Sequence, residues 1–387
     1  MTDTLPVELS PEIVEQLGQE FDDIYDSIIA ELGSDDERYI KGLIRIQRAL
    51  ALGSRIALEA GALLRLRRLP PFQRAGLALL GAGTLGLGVA KILENMEIGH
   101  NVMHGQWDWM GDPDINSTVW EWDNVCPADH WKHGHNIVHH TWTNVLGKDR
   151  DIGYEIIRTS SEQPWNAVYL AQPVYSTLLM LLFEWGVGVH EVDFKKLQNG
   201  TSEEKLTQVE LFRGFARKAG RQIAKDYVLW PALAGPRFTD VAAADAVANL
   251  MRNVWSYMII FCGHFPDGVR LFESDVIEDE TRSKWYLRQL LASANISGGR
   301  LFQIMSGNLN HQIEHHLFPD MPSNRYAQAA SRVKALCARY GLPYTEGNLR
   351  RQFGTTTRKI WRYALPGGQD KILDAPAMGD TPLPQAA

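Results

Sequence analysis

Cysteine is scarce: the 387-residue chain has three, Cys126, Cys262 and Cys337, far apart and without a CxxC pair. That spacing indicates neither a disulfide framework nor a thiolate zinc site, and it fits a reducing compartment. A basic stripe is missing too, since 46 acidic residues outnumber 39 basic ones and leave a net charge of −7. Nucleic acid is therefore not expected as a partner. No HExxH sequence occurs, and His190-Glu191 lacks the second histidine of a zinc protease. The first forty residues are polar and acidic, without the basic start and apolar run of a secretory signal.

Long unbroken apolar runs are few, and mean hydropathy is −0.23. Crossing a bilayer core takes about 20 apolar residues, and four stretches come nearest: 46–64, 75–93, 165–189 and 241–263. Arg55 and Glu59 interrupt the first, Gln172 and Glu184 the third, Asp245 and Arg252 the fourth. The charged stretch 191–226 is expected in water. Residues 1–40 read as an acidic N-terminal segment forming a surface helix, with Ser10 as N-cap and Pro11 at the first helical position. Residues 41–345 read as the main domain and 346–387 as a C-terminal extension, disordered beyond about 365. An amphipathic helix is predicted from about 323 through Tyr340, ended by Gly341 and Pro343. The expected fold class is all-α.

Histidine is what the chain does have: twelve, of which seven form three clusters, His100 and His104, then His135, His139 and His140, then His315 and His316. Positions i and i+4 share a helix face, so His100 and His104 can converge on one metal. Adjacent residues such as His139 and His140 stand about 100° apart around the helix and can reach different ions. Seven imidazoles exceed what one tetrahedral zinc can use, so two metals are implied. Imidazole suits iron, zinc, copper or nickel, leaving the metal open. Soluble carboxylate di-iron proteins need two Glu-x-x-His motifs, and only Glu97-x-x-His100 is present. His130, His133 and His190 are read as ordinary hydrogen-bonded histidines.

These segments resemble the membrane fatty acid desaturases, which carry three histidine boxes. Gly99-His100-Asn101-Val102-Met103-His104-Gly105 resembles the first box, and His135-Asn136-Ile137-Val138-His139-His140 with Thr141, Thr143 and Asn144 the second. Asn310-His311-Gln312-Ile313-Glu314-His315-His316-Leu317-Phe318-Pro319 resembles the third, in the form of the front-end, acyl-CoA or acyl-lipid branch. The resemblance covers about residues 40–345 and implies His100, His104, His135, His139, His140, His315 and His316 as iron ligands. It adds His264 after the last apolar stretch, Gln312 at the first position of the third box, and His311 as a rival to Gln312.

The resemblance further implies about four transmembrane helices under a helical cap that holds two non-haem irons. O2 would be the co-substrate, and a cis double bond in an acyl-CoA or acyl-lipid the product. The His-Pro-Gly-Gly mark of a fused cytochrome b5 domain does not occur, so a ferredoxin or flavoprotein reductase is expected as a separate electron donor. The expected location is the cell inner membrane with the site on its cytosolic face, although Arg65, Arg67, Arg68 and Arg74 run against the positive-inside rule in that orientation. Asp129, Asp149, Asp151, Glu314 and Asp320 lie near the boxes and are candidates for orienting the histidines. The alternatives are a membrane di-iron hydroxylase and a non-enzymatic metal-binding helical protein.

Overall fold

The computed structural model describes residues 9–367, most of them helical. Two antiparallel helical hairpins form its axis. Helix α1, Pro11–Ile29, precedes the first hairpin, made of α2, Ser34–Leu64, and α3, Pro70–Leu93. Its two arms approach closely: a methyl group on Gly61 would stand 2.8 Å from the Gly76 carbonyl oxygen. The second hairpin consists of α4, Ser202–Ala224, and α5, Phe238–His264. A π-helical turn, Lys225–Leu229, and the short helix Trp230–Leu233 prolong α4 to a turn at Gly235, whose φ of 54° suits glycine. Arg65 of the first hairpin pairs with Asp240 of the second at 2.8 Å, tying the two tips together.

This arrangement corrects two expectations. The stretch 165–189 is no straight span: Ala167–Leu181 and Phe183–His190 meet at a bend of 93°. The third long helix comes instead from the polar stretch assigned to water, which exposes Glu203, Lys205, Glu210, Arg213, Arg217 and Arg221 as expected and turns only a few charges inward. Lys218 pairs with Glu121, Lys225 with Asp123, and Asp226 accepts from Arg55 at 2.7 Å and from Lys91 at 2.8 Å. Arg55 also pairs with Asp245, so the residues that broke the first and fourth apolar stretches face each other in the interior. By length and apolarity alone, one described helix, Pro70–Met103, can cross a membrane, or two if the bent pair is one span, rather than four.

Helices from near the chain's two ends pack together. Ser10 caps α1 as expected, accepting from the Ile13 amide at 3.4 Å. Leu17, Phe21 and Ile28 form one stripe of α1 and are fully buried. They pack with Tyr286 and Leu290 of the helix Arg282–Leu291 and with Tyr326 and Val333 of α6, Tyr326–Tyr340. The helix expected on the surface is therefore half core. Gly341, at φ 65°, ends α6 where predicted. Within the C-terminal extension, Leu349–Tyr363 forms α7, which buries Gln352, Thr356 and Ile360 beside α5. The tail predicted beyond about 365 lies, from 368 on, outside the described residues. A parallel pair of three-residue strands, Asn295–Ser297 and Glu346–Asn348, and an isolated parallel bridge between Val145 and Phe272 are the extended pairings among the described residues.

Candidate metal centre

All three histidine clusters, with His264, meet where the hairpins enter the cap. The first cluster lies where α3 continues as a π-helical turn, Glu94–His100, followed by Asn101–Met103. Glu97 anchors this turn, accepting from the Tyr39 hydroxyl at 2.8 Å, the Ser323 hydroxyl at 2.6 Å and the Asn308 amide at 2.9 Å. Gly307, at φ 74°, lets the loop before the third cluster sit on it, since a Cβ there would approach the Met96 carbonyl oxygen to 2.5 Å. The second cluster occupies another π-helical segment, Lys132–His139, running into His140–Trp142. The third lies on the six-residue helix Gln312–Leu317, fixed by Asn295, which accepts from the Ile313 amide at 2.9 Å.

Ring nitrogens form two groups, within each of which the nitrogens lie no more than 4.8 Å apart: His100, His104, His135 and His315; and His139, His264 and His316. His100 and His104 share a group, as their spacing predicts. His315 and His316 diverge as adjacent residues should, His315 Nε2 lying 3.3 Å from His100 Nε2 and His316 Nε2 lying 3.2 Å from His264 Nε2. His135 and His139 fall into different imidazole groups, yet both also gather around Asp151, and their rings stack at 5.0 Å. His140 stands between the groups, its ring 4.7 Å from that of His104 and 4.4 Å from that of His316. Gln312 Nε2 lies 3.1 Å from His264 Nε2, while His311 joins neither group and instead approaches Gln303 at 3.4 Å.

The outer nitrogens have their own partners. His139 Nδ1 lies 3.0 Å from Asp149, His315 Nδ1 3.1 Å from the Tyr326 hydroxyl, and His316 Nδ1 3.2 Å from both Gln289 and Thr143. Such contacts fix ring orientation and leave Nε2 to face inward. Asp151 lies 3.6 Å from His135, 3.7 Å from His139 and 2.9 Å from His190 Nε2. His190, read as an ordinary histidine, thus reaches the site through Asp151. Of the other acids singled out, Glu314 is held by Asn295 and Tyr344 and pushed up to about 7 by burial, Asp320 accepts from Tyr25, and Asp129 pairs with Lys132 at the surface. His133 pairs with Glu191, and His130 packs over Gly214. Gln289 and Tyr326 carried no signal in the sequence, being supplied by helices outside the boxes.

Electrostatics favour a cation. Burial, then the neighbouring imidazoles, hold His140, His315 and His316 well below the usual imidazole range, so they are neutral and their lone pairs are free. Burial opposes protonation of His139 as well, but the carboxylates of Asp149 and Asp151 outweigh it and push it up to about 9. His104 Nε2, His135 Nε2, both nitrogens of His140 and His264 Nδ1 are buried without a hydrogen-bond partner. Unpaired buried acceptors are costly, and a metal at about 2.1 Å with ligands at right angles would bring its nitrogens to about 3 Å separation. The donor set therefore fits metal ions. The rings of His100, His135, His139 and His264 border a cleft whose other walls mix apolar residues, Tyr154, Phe183, Val187 and Ile260 among them, with polar and charged ones such as Asp151 and Glu191.

Convergent imidazoles in a helical scaffold define a candidate metal centre. The chain belongs to the fatty acid desaturase family, whose model matches residues 75–348, and is an oxidoreductase of acyl chains. The NADPH-dependent stearoyl-CoA 9-desaturase of Mycobacterium tuberculosis is 45% identical over 369 residues, 94% of this chain and 83% of that protein. The sn-1 linoleoyl-lipid 6-desaturase of Synechocystis is 27% identical over 279 residues, 69% of this chain and 74% of that protein. The Delta(5) fatty acid desaturase A of Dictyostelium discoideum is 28% identical over 258 residues, 62% of this chain and 52% of that protein.

Proposed function

We propose that the protein inserts a cis double bond into the acyl chain of an acyl-CoA, using O2 and a separate electron donor at a pair of irons. The observation that carries this reading is two groups of inward-facing imidazoles bordering a cleft in the helical bundle. The 45% identical relative, named for stearoyl-CoA and NADPH, favours a saturated acyl-CoA over an acyl-lipid and NADPH as the ultimate reductant. The donor between NADPH and the site would be a flavoprotein reductase or a ferredoxin. His100, His104, His135 and His315 would hold one iron and His139, His264 and His316 the other, with His140 between them and Gln312 beside His264. His311 is left outside the set.

The irons would supply O2 activation and removal of two hydrogens from adjacent unactivated carbons. The chain's own work is positioning. The cavity walls hold the acyl chain against the histidine rings, and the buried groups around them exclude water. Asp149, Tyr326, Gln289 and Thr143 keep the rings turned inward. No side chain is required as nucleophile.

The two hairpins would form the membrane part. Their outer faces expose Ile46, Leu52, Ile56, Leu77, Leu85, Leu229, Leu233 and Val247, while Arg55, Lys91, Asp226 and Asp245 are buried between them. Apolar residues outside and paired charges inside suit lipid better than water. The cap with the histidines would then lie on the cytosolic face.

The test is reconstitution with stearoyl-CoA, NADPH, a bacterial flavoprotein reductase and ferredoxin, with and without O2. A product lacking two hydrogens, formed only with O2, is expected; a product that has gained oxygen would make the enzyme a hydroxylase instead.

A further inference from the structure

Helix α7 begins where the match to the family model ends. From Leu349 to Tyr363 it holds five basic residues and no acidic one, in a chain whose net charge is −7. One face is internal: Phe353 and Ile360 pack into the cluster that contains Tyr257, Phe261 and Phe265 of α5. The other face exposes Arg351, Arg358, Trp361 and Arg362, of which Arg358 pairs with Asp267. Trp361 is 60% exposed, and Leu365, just past the helix end, 58%. Arginines interleaved with an open tryptophan and leucine are the pattern of a helix that lies on a membrane surface.

These apolar side chains do not stand alone. The arm Ala167–Leu181 and the residues before it are tied to the end of α7, Gln172 Nε2 donating to the Ile360 carbonyl at 2.7 Å and Trp165 Nε1 to the Ala364 carbonyl at 3.0 Å. Between those two anchors Val168 and Leu170 are 70% and 56% exposed. Helix α5 sets the height of the patch. Its exposed Val247 and Leu250 face lipid in the membrane placement above, and Tyr257, where α7 packs, follows Leu250 by seven residues. That is about 10 Å along the axis, whereas the headgroup layer on each side of a bilayer is about 5–7 Å thick. The patch therefore falls where hydrocarbon gives way to headgroups, the one level that offers its leucines an apolar phase and its arginines phosphates.

We propose, resting on the membrane placement above, that α7 and the arm Ala167–Leu181 are a docking surface for anionic phospholipid. The arginines of α7 face headgroup phosphates, while Trp361, Leu365, Val168 and Leu170 enter the upper acyl region, with Trp361 as an interfacial anchor.

The test uses the full-length protein carrying one fluorescent label on Leu365→Cys, the native Cys126, Cys262 and Cys337 being buried. It is reconstituted in vesicles of phosphatidylcholine with a minor share of phosphatidylglycerol, and a nitroxide is placed high on the acyl chain of one lipid or the other. Both nitroxide lipids should quench the label, and phosphatidylglycerol should do so beyond its share of the bilayer, a preference that weakens at high salt. A basic residue near an anionic surface is worth about 5-fold in affinity, so Arg362→Gln should reduce the preference by about that factor. Quenching in proportion to lipid share, or an equal preference in Arg362→Gln, overturns the proposal. A label quenched by neither lipid, because it lies in water or under another protein, overturns it too. So does loss of the preference on adding free CoA, which would make the arginines a site for the substrate's phosphates. Protein that does not float with the vesicles at all overturns instead the membrane placement on which the proposal rests.

Discussion

Replacing Asp149 with Asn should loosen one iron without collapsing the fold. The Asp149 carboxylate is buried and meets three nitrogens: His139 Nδ1 at 3.0 Å, the Asn144 amide at 2.8 Å and the Asp151 amide at 2.9 Å. An asparagine keeps the shape but presents an NH2 where one oxygen was, so at least one of those donors loses its acceptor. A buried unsatisfied donor costs about 1–3 kcal/mol. Removing the partner of a metal-binding histidine typically weakens metal affinity about 10–100-fold, or about 1.4–2.7 kcal/mol. The variant should therefore lose iron to a competing chelator at about 10- to 100-fold lower chelator concentration than the unmodified enzyme, with turnover falling in step with bound iron. Asp320→Asn is the control, because Asp320 accepts from Tyr25 in the cap and touches none of the clustered histidines. The reasoning is refuted if Asp149→Asn holds iron as tightly as the unmodified protein, or if Asp320→Asn loses it equally.

Two further outcomes follow from the buried charges. Arg55→Leu strands Asp245, while Asp226 keeps Lys91, and breaking a buried pair by removing one partner costs about 3–5 kcal/mol; denaturation in detergent should register it, and a loss under about 1 kcal/mol would place the network in contact with water. Iron-stripped protein should be most stable near the ordinary imidazole value of about 6.5. His140, His315 and His316 are depressed when folded, so their contribution is present above that value and is lost as pH falls below it. His139, raised to about 9, contributes fully below about 6.5, and its contribution is lost as pH rises through 9. Each proton bound by one state alone changes stability by about 1.4 kcal/mol per pH unit, and a pH-independent unfolding midpoint would contradict the assignment.

The histidine clusters were legible in the sequence because ligand spacing is local: adjacent His315 and His316 must diverge on any helix. The pairing of the long helices was not, since a hydropathy window averages around the whole circumference of a helix. The stretch 191–226 is solvated at Glu203, Lys205, Glu210, Arg213, Arg217 and Arg221, as its composition indicates, but Lys218 and Asp226 are buried against partners on other segments, which composition does not show. Arg55 and Asp245 appeared to spoil two apolar stretches for the same reason; they are 190 residues apart and meet only in the folded bundle. The acidic composition of α1 pointed to the surface, although its partner surface is formed by Tyr326 and Val333 near the other end of the chain.

The sorting of charge between the hairpins bears on how such a chain is assembled. The first carries Arg55 and Lys91 inward, the second Asp226 and Asp245. If the bundle lies in lipid, an isolated arm would hold uncompensated ions there, at about 2.5–3.5 kcal/mol each by translocon scales. Neither arm is then a comfortable guest of the bilayer by itself, and the second must arrive before the first can settle. Biogenesis would be an all-or-nothing event, with any half-built intermediate marked for removal by its own unneutralised core.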